Sequence, residues 1–152
     1  MNSTCSDNFV SCVTTLRIII LTFNRPQSLK RLLTSLEMAD YKFKSNNPGW
    51  ELVLEVHIDG GGGVEGEKVK KVAKQFEFSY GLKIVKERHA NIGVMKAWKT
   101  AWSWKDNELF VVIEDDVEMS SHWFRDTFQL KLQLNMEFIQ FRKVCSTENR
   151  CY

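Results

Sequence analysis

The chain has 152 residues, the size of one domain, and a chain of that length buries roughly 70% of the surface it exposes unfolded. Hydrophobic residues make up 43%, charged residues 26% and aromatics 12%, which excludes wholesale disorder; two prolines and eight glycines exclude collagen-like and proline-rich classes. Lys and Arg number 21 against 19 Asp and Glu, a net charge of +2, so the one-sided basic excess of a dedicated nucleic-acid binder is missing and no nucleic-acid partner is expected.

Residues 1–15 are expected to be disordered or extended. Met1 to Ser11 lacks a basic cluster followed by an apolar block, so it is not a secretory signal, and no apolar run approaches the ~20 residues of a membrane helix. The cysteines lie near the two ends, Cys5 and Cys12, Cys145 and Cys151; without a C-x-x-C they read as ordinary thiols, with disulfides open to them in an oxidising lumen. The triplet Asn2-Ser3-Thr4 is a weak glycosylation signal for the same compartment.

Leu16 to Thr22 is a continuous aliphatic run, the pattern of a strand buried on both faces in a parallel sheet. Asn24-Arg25-Pro26 breaks it, and Pro26 suits a first helical turn. Leu29, Leu32, Leu33 and Leu36 then form one helical stripe, ended by a polar loop over Lys44 to Gly49. Glu51 to Ile58 reads as a second strand, running into Asp59 and the glycines Gly60 to Gly63, expected to be a mobile surface loop. Val69, Val72, Ala73 and Phe76 mark a second helix, Leu82 to Val85 a third strand. Asn91-Ile92-Gly93 opens a third helix with Val94, Ala97, Trp98, Ala101 and Trp102 facing inward, and Leu109 to Ile113 is a fourth strand delivering Glu114-Asp115-Asp116. Ser120 or Ser121 caps a helix carrying Trp123, Phe124 and Phe128, expected to end near Lys131. Leu130 to Phe138 alternates apolar and polar residues, a strand period, and 132–152 is left as a tail.

Strands alternating with helices predict a Rossmann-like α/β fold, a mostly parallel sheet flanked by helices on both faces. Ligands of such sheets bind beyond the carboxyl ends of the strands. Those ends supply Thr22, Asn24 and Arg25, then Asp59, then His89, Asn91 and Gly93, then the three carboxylates. Three adjacent carboxylates repel one another, and a hard divalent cation removes the conflict while bridging to substrate phosphates. In an extended segment Glu114 and Asp116 would share one side and Asp115 the other. The competing reading is a solvated acidic turn. Arg25 suits a phosphate clamp or a plain surface cation, and Asp59 a ribose acceptor or a turn residue. Asn91 and Gly93 precede a helix N-terminus, a natural anion site, and Lys96, one turn in, is placed to reach the same phosphate, although a plain surface lysine is the favoured reading there. His89 is alone, and the tryptophans Trp98, Trp102, Trp104 and Trp123 read as packing. No nucleophile–base set indicates hydrolysis.

In order and context, Thr22-Phe23-Asn24-Arg25-Pro26, His57-Ile58-Asp59-Gly60, Asn91-Ile92-Gly93 and Val111-Val112-Ile113-Glu114-Asp115-Asp116 resemble the N-terminal nucleotide-sugar half of GT-A-fold glycosyltransferases. The inverting N-acetylglucosaminyltransferase I type, whose metal motif is also Glu-Asp-Asp, and related family 2-like enzymes are the nearest in flavour. The resemblance spans Leu16 to Phe124, within a partial nucleotide-sugar-binding domain over 16–131. It implies a UDP-sugar donor, a glycan or other hydroxyl acceptor, hexosyl or N-acetylhexosaminyl transfer, and Mn2+ or Mg2+ as cofactor. Arg25 would lie by the nucleotide, Asp59 on the uracil or its ribose, Asp115 on ribose or sugar, and Asp116 on the metal; Thr22, Asn24, Asn91, Gly93, Lys96 and Glu114 would complete the donor site. It also implies a Golgi or secretory lumen for the full-length protein. In the family the catalytic base belongs to the C-terminal half. This chain ends soon after the acidic motif, so it is expected to be a truncated fragment, inactive alone and prone to self-association through the apolar face of 130–138. Two other readings stand beside this one: a non-catalytic nucleotide-binding or interaction remnant, and a sugar-nucleotidyltransferase, which would carry a glycine-rich basic loop where Thr22 to Ser28 stands.

Overall fold

The computed structural model describes residues 15–42, 50–103, 108–127 and 138–141. The cysteines, the Asn2 triplet, the Lys44 to Gly49 loop, Trp104, Phe128 and the alternating run up to residue 137 lie outside them.

The aliphatic run forms strand β1 (Thr15–Thr22), in which Leu16 and Ile18 to Leu21 are all buried. Pro26 then opens helix α1 (Pro26–Glu37), and its ring keeps the preceding Arg25 out of helical backbone, at φ −116° and ψ 72°. The predicted stripe Leu29, Leu32, Leu33 and Leu36 is completely buried against the sheet. Strand β2 (Glu51–Ile58) keeps its predicted bounds. Helix α2 (Gly63–Gln75) buries Val69 and Ala73 on the same face as α1. Strand β3 (Leu82–Glu87) is a half-exposed edge. Helix α3 (Val94–Thr100) lies on the opposite face, where Ala97 and Ala101 pack on Ile19, Leu21 and Val112. Strand β4 (Glu108–Glu114) leads to a short helical turn at 123–127 that seats Trp123 and Phe124 in the α1 side of the core.

The sheet order is β3-β2-β1-β4-β5, every neighbour parallel. The chain first winds outward from β1 to β3 over one face, through α1 and α2. It then crosses back over the other face, through α3, to place β4 on the free side of β1. Right-handed crossovers in opposite directions put their helices on opposite faces. Between β1 and β4 the winding reverses, which is where open α/β sheets bind ligands.

Three sequence expectations change. A fifth strand, β5 (Phe138–Phe141), extends the sheet into the region read as tail, because the outer edge of β4 offers unpaired backbone groups to an apolar segment. Val94 is 57% exposed instead of inward, because it sits at the mouth of the helix rather than over the sheet. The start of the glycine run is packed while Gly61 and Gly63 stay exposed: a Cβ on Gly60 would stand 2.5 Å from the Ala90 backbone nitrogen, so only glycine lets the two loops touch there.

Two polar positions of β2, Glu55 and His57, are also buried. Glu55 accepts hydrogen bonds from Lys86 Nζ at 2.6 Å and Arg17, and lies 2.7 Å from His57 Nε2; Arg17 continues to Glu108 at 2.7 Å. A charged row thus crosses four strands on the α3 face.

Candidate functional site

In-register pairing sets the strand ends level. Thr22 stands opposite Ile58, and Leu21 opposite Glu114. The ladder runs one step further on each side of β1: the Asp59 N–H donates to the Thr22 carbonyl at 2.9 Å, and the Asp115 N–H to the Leu21 carbonyl at 3.2 Å. Asp59 and the acidic motif therefore flank β1 at a single edge of the sheet.

A cleft of about 250 Å³ opens there, lined by Leu21, Thr22, Phe23, Asn24, Arg25, Asp59, Asn91, Gly93, Val94, Ala97 and Glu114. Seven of the predicted residues line it: Thr22, Asn24, Arg25, Asp59, Asn91, Gly93 and Glu114. Three do not: Lys96 is exposed on α3, and Asp115 and Asp116 stand beside the cleft, joined to its lining residue Arg25. Leu21, Phe23, Val94 and Ala97 were missed. They carry no polar signal; their position at the last turn of a strand or the first of a helix is what places them.

Asp59 is 8% exposed and its carboxylate collects backbone donors. Oδ1 accepts from Gly60 N at 3.2 Å and Ile92 N at 3.1 Å, and Oδ2 from Gly93 N at 3.2 Å. The Asn91 side chain turns back to the same Gly93 N–H at 2.8 Å. Gly93 itself has φ +77° and ψ 156°, a conformation open essentially to glycine alone. Asp59 thus builds the Asn91-Ile92-Gly93 wall of the cleft from across β2.

The three carboxylates separate. Strand β4 ends at Glu114 and a turn begins at Asp115, so the alternation expected of an extended segment stops there. Glu114 accepts a hydrogen bond from Trp98 Nε1 at 2.9 Å. Asp115 and Asp116 instead face Arg25 together, correcting the pairing of Glu114 with Asp116. Arg25 Nη2 lies 2.6 Å from Asp115 Oδ1 and Nη1 3.3 Å from Asp116 Oδ2. Asp115 has a wholly buried side chain, and its Oδ2 accepts from Thr22 Oγ1 at 2.6 Å. Burial pushes the Asp115 carboxyl above its ordinary range; the Thr22 hydrogen bond and Arg25 pull it back, while Asp116 adds to the rise. Asp116 Oδ1 is buried without a hydrogen-bond partner.

Among the described residues no group of three or more His, Cys, Asp or Glu side chains gathers into a ready cage for a metal. What the motif does offer is two hard carboxylates already turned toward one cation, with one buried oxygen uncommitted. That donor set fits Mg2+ or Mn2+, which take a few protein carboxylates and complete their shell with water and phosphate.

No helix among the described residues is long and apolar enough to cross a membrane. No protein-family model matches the sequence, and no curated protein sequence does. A solved structure does match: the crystal structure of TarS residues 1–349 from S. aureus, a glycosyltransferase, superimposes with a TM-score of 0.56 at 18% identity. The match covers 78% of this chain and 32% of that one, so the chain spans about a third of its neighbour's length. At that identity the likeness establishes the fold: a parallel α/β sheet of glycosyltransferase-like form, with the acidic turn and the cleft at its carboxyl edge.

Proposed function

We propose that this chain is the donor-binding part of a glycosyltransferase, holding a UDP-sugar through Mn2+ or Mg2+ for transfer of a hexose or N-acetylhexosamine to a glycan hydroxyl. The observation that carries it is the pair Asp115 and Asp116, turned toward one cation where the winding of the sheet reverses, beside the cleft. The glycosyltransferase-like fold supports the same reading. A bound divalent cation would act as a Lewis acid on the leaving diphosphate. Asp116 would hold it, with the buried Oδ1 as the free ligand and Asp115 as its neighbour. Asp59 would keep the 91–93 wall in shape against the nucleoside, and the apolar Phe23 and Val94 would exclude water from its base.

Titration calorimetry with UDP, with and without Mn2+, tests this. The wild-type chain is expected to bind UDP at least tenfold more tightly when Mn2+ is present, and Asp116→Ala to erase the difference, since a lost carboxylate ligand removes about 1.4 kcal/mol or more. Equal metal dependence in the variant would overturn the assignment of Asp116.

A further inference from the structure

Arg25 occupies the position a cation would take. Its guanidinium puts one nitrogen on each of two adjacent carboxylates, and among the described residues these are its ion-pair partners. Asp115 cannot turn to offer its other oxygen, because Oδ2 is bound by Thr22. A metal shared between Asp115 and Asp116 must therefore use the oxygen that Arg25 touches at 2.6 Å. A guanidinium and a divalent ion cannot both sit there, for they repel at that range. Arg25 is also free to leave. Its backbone is set by Pro26, yet its side chain is half exposed and lines the cleft itself.

We infer that Arg25 is the built-in counter-ion of the Asp115–Asp116 pair, displaced by the metal and handed over to the diphosphate of the incoming nucleotide. In the empty site it neutralises two carboxylates that would otherwise repel. When a metal and a diphosphate arrive together, the metal takes the carboxylates and the forked guanidinium takes phosphate oxygens. Metal alone displaces Arg25 without offering it a new partner, so metal alone binds weakly. Arg25 is a positioning residue here, and the order of loading follows from it. This inference rests on the metal and nucleotide reading above.

Mn2+ binding followed by electron paramagnetic resonance, with and without UDP, separates the two. Arg25→Gln is expected to bind Mn2+ alone about tenfold more tightly than wild type, since one repelling charge near the ion is gone. The same variant is expected to bind UDP in the presence of Mn2+ roughly tenfold more weakly, having lost the fork. Arg25→Lys keeps the charge and should stay near wild type for Mn2+ alone. If wild type binds Mn2+ with UDP but Arg25→Gln shows no gain without it, or gains metal affinity without losing UDP affinity, this inference falls and the metal reading stands. Absence of Mn2+ binding in every variant, with or without UDP, would overturn both.

Discussion

The acidic site depends on one hydroxyl. Thr22 ends β1, and its Oγ1 donates to a carboxylate that has no exposure of its own. Thr22→Val preserves the shape and removes the donor, leaving a buried acceptor unsatisfied at a cost of about 1–3 kcal/mol. Urea denaturation should show that loss, and a change below a few tenths of a kcal/mol would mean that water takes the position of the hydroxyl. Gly93 is the second such residue. A Cβ there would meet nothing within 4 Å, so the cost of Gly93→Ala is conformational, about 1–3 kcal/mol. The loop would relax away from Asp59, and UDP affinity should fall together with stability. Substituting Gly60 would instead be a steric fault, since the Ala90 backbone stands in the way.

At the scale of the strands, the charged row through Glu55 ties β1, β2, β3 and β4 across one face. Burial pushes the Glu55 carboxyl up, but hydrogen bonds from Lys86 and His57 and the charges of Lys86 and Arg17 outweigh it, holding the group at about 2 against an ordinary 4.5. A carboxylate with a depressed folded pKa contributes stability that is present above 4.5 and lost as pH falls toward about 2. His57 acts in the same direction. Its burial lowers its pKa from 6.5, so the unfolded chain takes up the proton first and stability declines below that pH. Thermal melts from pH 7 downward should therefore lose stability in two steps, one beginning below 6.5 and one below 4.5. Glu55→Gln should flatten the second step and lower stability at pH 7 by about 1–3 kcal/mol, because Arg17 keeps Glu108 but Lys86 and His57 lose a buried carboxylate. A second step of unchanged depth would assign the acid loss to other carboxylates.

For the molecule as a whole, the distribution of carboxylates sets an expectation about turnover. Transfer needs a base near the acceptor hydroxyl. Among the described residues, the carboxylates lining the cleft or beside it already hold donors: Asp59 three backbone amides, Glu114 the Trp98 indole, and Asp115 and Asp116 the Arg25 guanidinium, with a single buried oxygen of Asp116 left over for a metal. The 152-residue chain is accordingly expected to bind UDP with metal and to release no UDP from a UDP-sugar in an acceptor-dependent way. Acceptor-dependent release that Asp116→Ala abolishes would show that a base is present after all. The sheet itself should fold as a unit, since α1 and α2 share a single apolar layer with β1, β2 and β4.

Much of this architecture was legible in the chain alone. Leu16 to Leu21 read as a doubly buried strand, the four leucines of α1 as a helical stripe, and Arg25-Pro26 as a strand-to-helix break, because period and proline geometry act locally. The polar residues of the cleft were legible as groups at the ends of parallel strands, whereas its apolar members Leu21, Phe23, Val94 and Ala97 were not. Strand order was not, since no local pattern says that β4 returns to the free side of β1. With it went the fifth strand and the burial of Glu55 and His57, whose place in a polar period hid the cross-strand partners that make burial tolerable. The splitting of the acidic motif was decided by the tertiary structure too. A turn after Glu114 and an arginine ninety residues earlier in the chain, joined only when β1 and β4 pair, bring Asp115 and Asp116 to one cation.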